Sequence, residues 1–115
     1  MTREKTQKPW GYFEIIGQDQ GFKIKKIIIL PQKRLSLQRH KHRKEYWVIT
    51  KGQAKAIKGE KEMNLKQGDS IIIKKEEIHR LENTGHSNLE VFEVELGEYL
   101  EEDDIERLED DFNRV

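Results

Sequence analysis

Residues able to hold a metal or move a proton are concentrated in one stretch, Gln38-Arg39-His40-Lys41-His42-Arg43-Lys44-Glu45. Two histidines stand at i and i+2, a carboxylate follows three residues later, and a lone histidine, His79, lies far downstream. Successive side chains of a β-strand alternate faces, so in an extended chain His40 and His42 point the same way. Two imidazoles on one face, joined by Glu45 and His79, can close around one divalent metal ion. The run makes poor ordinary core. One face reads Leu35, Leu37, Arg39, Lys41, Arg43 and the other Arg34, Ser36, Gln38, His40, His42, and neither is apolar along its length. Turned inward, the imidazole face needs partners, because burying an unpaired polar group costs roughly 1–3 kcal/mol. A metal ion and a polar substrate would supply them; the alternative is a solvated face.

These residues need a β-scaffold to position them. Short β-like runs recur at 12–16, 22–30, 35–42, 45–50, 53–57, 70–74, 79–82 and 89–96. Gly17, Pro31, Lys51-Gly52, Gly59, Gln67-Gly68-Asp69 and Asn83-Thr84-Gly85 punctuate them. Many short strands with closely spaced turns predict an all-β sandwich or barrel, in a single domain over 1–115. Residues 1–8 are polar and are expected to be disordered. In the tail, Ile105, Leu108 and Phe112 fall at i, i+3 and i+7, and acidic residues precede them. That spacing predicts a short C-terminal helix over 103–112, with the acids at the positive end of its dipole.

Composition narrows the partners. With 22 basic and 22 acidic residues, bulk charge favours neither nucleic acid nor a membrane. The charge is nevertheless segregated: nine Lys or Arg and no acid from Lys23 to Lys44, nine acids and one Arg from Glu98 to Asp111. Such segments either attract each other as solvated faces or leave a cationic rim for an anion such as phosphate. The absence of cysteine excludes disulfides, thiolate metal sites and cysteine nucleophiles. No signal-like segment or membrane-length apolar run is visible, so a cytoplasmic location is expected. Only 34% of residues are hydrophobic and 38% are charged, so the core must be thin. Burial across a homodimer interface is expected to supplement it.

The spacing resembles that of the cupin family. His40-x-His42, Glu45 and Gly52 resemble its first motif, which usually has one more residue between the second His and the Glu. Gly68, His79 and Asn83 match the spacing of its second motif, with Lys74 and Glu76 where Pro and Gly are usual. Further segments resemble one group of cupins: Lys8-Pro9-Trp10-Gly11-Tyr12, Leu35-Ser36-Leu37-Gln38-Arg39-His40, His79-Arg80-Leu81-Glu82-Asn83 and Glu102-Asp103-Asp104-Ile105. That group is the type II mannose-6-phosphate isomerase cupin domain, which in many relatives follows a mannose-1-phosphate guanylyltransferase. Two more departures fall at turns: Gln32 follows Pro31 where the family has Gly, and Asn113 replaces the Gly before the terminal Arg. No Gly-rich nucleotide loop is present, so nucleotidyl transfer by this chain is not expected.

The resemblance implies a double-stranded β-helix, or jelly-roll barrel, acting as a stand-alone metal-dependent isomerase. It would interconvert mannose 6-phosphate and fructose 6-phosphate. It implies one divalent ion held by His40, His42, Glu45 and His79. Zinc is favoured by analogy, although manganese, iron, cobalt and nickel accept the same donors. A rival set, with Gln38 in place of His42, resembles the zinc pattern of type I isomerases and leaves His42 to handle protons. Glu45 and His42 are thus the acid–base candidates. Arg43, Arg80 and Arg114 are the expected phosphate clamp, because the guanidinium fork binds two oxygens at once. Lys23 and Lys25 are weaker candidates, and Ser36 and Gln38 are expected to bind sugar hydroxyls. Trp10 and Trp47 read as core, and His86 as a solvated loop residue. Two other readings stay open: a metal-dependent cupin enzyme of another type, and a non-catalytic sugar-phosphate-binding cupin acting with a separate guanylyltransferase.

Overall fold

The computed structural model describes residues 4–115. Among them eleven strands form: β1 (Lys5–Lys8), β2 (Gly11–Asp19), β3 (Phe22–Ile29), β4 (Leu37–Arg39), β5 (Arg43–Lys51), β6 (Gln53–Lys58), β7 (Lys61–Lys66), β8 (Ser70–Ile73), β9 (His79–Asn83), β10 (Leu89–Gly97) and β11 (Glu106–Glu109). A six-stranded sheet runs β1-β2-β3-β10-β5-β8 and a five-stranded sheet runs β11-β4-β9-β6-β7. Every pairing between these strands is antiparallel. Each of the eight runs expected from the sequence contains a strand.

Both termini depart from expectation. Lys5–Lys8 is a strand paired with β2 rather than a disordered arm; residues 1–3 of that expected arm lie outside the described residues. The tail forms no helix, and among the described residues no helix crosses a membrane. Instead β11 adds to the open edge of β4, with Glu106 opposite Arg39 and Arg107 opposite Gln38. Three apolar residues at helical spacing did not outweigh an unpaired sheet edge and a basic strand awaiting acidic partners. Ile105 reaches a cavity wall and Phe112 packs on the core, while Leu108 is exposed. The segregated charge resolves the same way. Lys25 meets Glu102, Arg34 meets Asp111, Arg39 meets Glu106 and Arg80 meets Glu109.

Strand alternation sets the interior. The inward residues of β3 are Lys23, Lys25, Ile27 and Ile29; those of β10 are Glu95, Glu93, Val91 and Leu89; those of β5 are Arg43, Glu45, Trp47 and Ile49. The registers place Lys25 against Glu93, Glu93 against Trp47 and Glu95 against Glu45. Charged residues therefore gather at one end of the barrel and apolar ones at the other. Ala54, Ala56, Ile71, Ile73 and Leu81 complete the apolar end. Burying a Val, Leu or Ile stabilises by about 1.5–3 kcal/mol, so this end holds the fold together. Buried ion pairs seldom outperform apolar packing, so the charged end calls for another explanation.

The turn substitutions are visible in the backbone. Among the described residues, the non-glycine positions with positive φ are Gln32 (63°), Glu76 (67°) and Asn113 (59°). These are the positions where the family usually has glycine.

Candidate metal centre and its cavity

β4 ends at Arg39, the chain bends through Lys41 and His42, and β5 begins at Arg43. The bend is fixed from the C-terminal segment. The Asp104 carboxylate accepts the backbone N–H of Lys41 at 2.9 Å and of His42 at 3.0 Å. Burial pushes the Asp104 carboxyl up, but these two amides outweigh it and hold it below its usual range. The bend breaks the alternation that would put both histidines on one face. His40 turns inward and is buried, while His42 is exposed, edge-on to the Tyr99 ring at 5.5 Å. His42 therefore joins neither the expected ligand set nor an interior acid–base pair.

The other three expected ligands come together. Ligand atoms of His40, Glu45 and His79, all buried, lie within 4.8 Å of one another. Glu45 Oε2 is 3.2 Å from His40 Nε2, and Glu45 Oε1 is 3.7 Å from His79 Nε2. Each ring is oriented from behind: His40 Nδ1 lies 2.6 Å from the Asp104 carbonyl and His79 Nδ1 lies 2.9 Å from the Glu77 carbonyl. A carbonyl only accepts, so each Nδ1 carries a proton and donates it, which leaves each Nε2 facing Glu45. His79 Nε2 is buried without a hydrogen-bond partner. Two imidazole Nε2 atoms and a carboxylate converging on one region, with backbone carbonyls orienting the rings from Nδ1, fit a divalent-metal donor set. Gln38, of the rival set, stands directly across the β4–β9 ladder from His79 and is buried.

Charge around the centre is dense. Arg43 donates from Nε to Glu45 Oε2 at 2.8 Å, and its Nη2 lies 3.3 Å from His40 Nε2 and 3.4 Å from Glu95. Trp47 Nε1 donates to Glu45 Oε1 at 3.0 Å. Lys25 reaches Glu95 at 3.2 Å and Glu102 at 2.5 Å. Burial opposes the charge on Glu45, yet His79, Arg43 and His40 overcome it and hold this carboxyl well below the usual range. Burial also opposes the charge on Arg43, and Glu45, Glu93 and Glu95 overcome that. Glu93 goes the other way: burial first, then Glu45 and Glu95, raise its carboxyl well above the ordinary value. His79 is lowered, chiefly by burial. Glu45, Glu93 and Glu95 also lie close enough together to share a cation. This crowding of acids is a second sign that the centre accommodates added positive charge.

A cavity of about 90 Å³ opens onto this network. Its wall includes Ser36, Gln38, Arg43 and Arg114 of the expected substrate residues, together with Lys8, Lys25, Glu93 and Arg107. Arg80 is absent from that wall. It is buried, donates from Nε to the Leu35 carbonyl at 3.0 Å, and grips Glu109 through both Nη atoms at 2.9 and 3.2 Å. Arg80 thus fastens β11 to the barrel and leaves the phosphate clamp. Lys23 is tied to the Leu100 carbonyl at 2.6 Å. Arg114 is held by Asp110 through two contacts of 2.7 and 3.0 Å, which leaves it half-buried in the wall. Trp47 is core, Trp10 is both core and cavity wall, and His86 is exposed, as expected.

Sequence reasoning missed Arg107, Glu93 and Glu95. Arg107 was read as part of a helix; in β11 it faces the cavity, and its buried Nε has no hydrogen-bond partner. Burial, then the nearby Arg114 charge, lowers its guanidinium below the usual value. Glu93 and Glu95 were findable: Leu89, Val91, Glu93 and Glu95 alternate along β10 just as Ile29, Ile27, Lys25 and Lys23 do along β3.

Two antiparallel sheets wrapped around a buried His–Glu–His centre define a cupin, a double-stranded β-helix. Solved structures agree on the fold. An oxalate decarboxylase–formate complex from Lactobacillus farciminis superposes with TM-score 0.80 at 20% identity, over 92% of this chain and 33% of that one. A cupin-superfamily sugar phosphate isomerase from Silicibacter pomeroyi gives TM-score 0.65 at 18% identity, over 74% and 58%. Residues 1–110 match the family Mannose-6-phosphate isomerase C-terminal, and the chain belongs to that family. It is 42% identical to the xanthan biosynthesis protein XanB of Xanthomonas campestris pv. campestris, over 96% of this chain and 24% of that protein. It is 42% identical to the alginate biosynthesis protein AlgA of Pseudomonas aeruginosa, over 94% and 22%. It is 41% identical to the mannose-1-phosphate guanylyltransferase ManC of Salmonella typhimurium, over 100% and 24%. The chain thus spans about a quarter of the length of these relatives.

Proposed function

We propose that this chain is a metal-dependent aldose–ketose isomerase that interconverts mannose 6-phosphate and fructose 6-phosphate. The observation that carries this reading is the convergence of His40 Nε2, His79 Nε2 and Glu45 behind Gln38 and Arg43, two residues that line a cationic cavity. His40, Glu45 and His79 would hold one divalent ion, with Gln38 as the remaining protein donor. Zinc suits these nitrogen and oxygen donors. When bound, the ion supplies Lewis acidity that polarises the sugar carbonyl.

The remaining roles belong to the chain. Isomerisation removes the C2 proton and returns a proton at C1, while the hydroxyl proton shifts from O2 to O1. Glu93, a buried carboxyl in the cavity wall, is placed to carry a proton across that face of the sugar. Ser36 and Gln38 offer hydrogen bonds to sugar hydroxyls. Arg107 and Arg114 offer charge-assisted bonds to the phosphate. Arg43 orients Glu45 and lends positive charge to the same wall.

One finding supports a second reading. The chain aligns with only a quarter of relatives that include a guanylyltransferase. In that reading it binds sugar phosphate without turnover and acts beside a guanylyltransferase. An NMR progress curve with mannose 6-phosphate, on metal-reconstituted protein and a chelated control, separates the two. Metal-dependent fructose 6-phosphate formation is expected. Binding without turnover across several divalent metals selects the second reading, and neither binding nor turnover refutes both.

A further inference from the structure

Arg43 and Glu45 alternate onto the same face of β5, and that face turns inward. The Arg43 backbone is pinned. Gly97 stands opposite it in the β5–β10 register, and a Cβ there would run into the His42 carbonyl and meet Arg43 Cα at 3.1 Å. Only the guanidinium is left to adjust, and it already engages two of the three converging donors. Nε donates to Glu45 Oε2 at 2.8 Å, and Nη2 lies 3.3 Å from His40 Nε2. A guanidinium only donates, so His40 Nε2 accepts from it. A carboxylate oxygen can serve two partners at once, but an imidazole nitrogen has a single lone pair. His40 can therefore serve Arg43 or a metal ion, not both.

We propose that Arg43 is a resident cation that competes with the divalent ion for His40, so that the chain's own guanidinium sets the metal affinity. The proposal rests on reading His40, Glu45 and His79 as metal donors. Before loading, Arg43 has a clear task. Ligand oxygens of Glu45, Glu93 and Glu95 are buried within 4.8 Å of one another, and Arg43 and Lys25 offset that negative charge. Releasing His40 asks little of it. Nη1 is buried without a hydrogen-bond partner, so the present arrangement leaves one of its donors unused. Glu93 and Glu102 share the cavity wall with Arg43 and can accept a turned guanidinium. Glu45 stays oriented meanwhile, because Trp47 Nε1 holds Oε1 at 3.0 Å independently.

Competition against a chromophoric chelator, with zinc as the probe ion and the full chain as receptor, tests the proposal without recourse to turnover. Arg43→Met should bind zinc at least tenfold more tightly than the unsubstituted chain. Arg43→Lys keeps the charge, but a single ammonium cannot span Glu45 and His40 as the fork does, so it should also bind more tightly, by a smaller factor. The Lys variant decides the matter if the crowded acids unfold the Met variant. Melting curves give a second readout: Arg43→Met should melt lower than the unsubstituted chain without zinc and gain more from added zinc. Equal or weaker zinc affinity in either folded variant overturns the proposal while leaving the metal reading intact; an unchanged Arg43→Lys would mean that charge alone, not occupation of His40, sets the affinity. Failure of the unsubstituted chain and both variants to bind zinc refutes the metal reading itself, and the proposal with it.

Discussion

Replacing Arg80 with Met separates a fastener from a ligand-binding residue. The guanidinium makes three contacts: Nε to the Leu35 carbonyl at 3.0 Å, Nη1 to Glu109 Oε1 at 2.9 Å and Nη2 to the Glu109 carbonyl at 3.2 Å. Methionine fills the apolar stem but leaves the Leu35 carbonyl without this donor. A hydrogen bond from a charged group is worth about 1.5–3 kcal/mol. The Glu109 side chain is 60% exposed and regains water, so its share is about 0–1 kcal/mol. The expected loss is about 2–3 kcal/mol, or about 8–12 °C in melting temperature for a chain of this size. If β11 opens locally, the same energy appears as roughly 30- to 140-fold faster amide exchange at Glu106–Glu109. Thermal melts and hydrogen exchange by mass spectrometry would read the two quantities. Metal content should not change. Unchanged melting and unchanged β11 exchange, together with a direct loss of sugar-phosphate affinity, would return Arg80 to the clamp and refute this reasoning.

Other outcomes follow from the same geometry. His79→Ala should abolish stoichiometric metal uptake while the chain stays folded, whereas His42→Ala should leave uptake intact; elemental analysis of dialysed protein reads both, and the opposite pattern would place the centre elsewhere. Arg107→Met should weaken sugar-phosphate binding at least tenfold by titration calorimetry with no loss of stability, since its buried Nε forms no hydrogen bond. Glu76→Gly should stabilise by about 1 kcal/mol in denaturant titration, because glycine adopts positive φ without the steric cost other residues meet. Asp110 is held down to about 2, chiefly by its hydrogen bond to Arg114. A lowered carboxyl stabilises above its unfolded value and loses that contribution as pH falls through the folded value. Acid melts should therefore lose about 1 kcal/mol between roughly pH 4 and pH 2, after allowing for solvent screening, and Asp110→Asn should flatten that dependence.

The strands were legible because their signals are local. Alternation and turn residues located the runs the barrel uses between 12 and 96 except β7, whose polar run carries only Met63 and Leu65, and the motif spacing pointed to His40, Glu45 and His79. The turn departures were legible too, since Gln32, Glu76 and Asn113 do adopt positive φ. The errors share one origin. His42 was paired with His40 by extrapolating a strand through a segment where Asp104, 62 residues away, holds the backbone in a bend. Arg80 was assigned to substrate from its family-like segment, while its partner Glu109, 29 residues on, was expected on a helix. Arg107 was overlooked for the same reason. Each error concerns a residue whose orientation the C-terminal segment decides.

That dependence bears on how the centre works. Asp104 orients His40 through its carbonyl and shapes the bend through its carboxylate. β11 carries Arg107 into the cavity opposite Gln38, and Arg114 follows from the same segment. The segment is held by ion pairs, of which Arg39–Glu106 and Arg34–Asp111 are largely exposed and individually weak. Arg80 at Glu109 and Lys25 at Glu102 anchor it through buried cations. The apolar end of the barrel can therefore stay folded while the tail opens, taking Arg107, Arg114 and the His40 orienter with it. Substrate phosphate bound by Arg107 and Arg114 would in turn pull the segment closed, by an amount equal to its preference for the closed state. Metal affinity and sugar-phosphate affinity should then rise together, because both depend on the same docked strand.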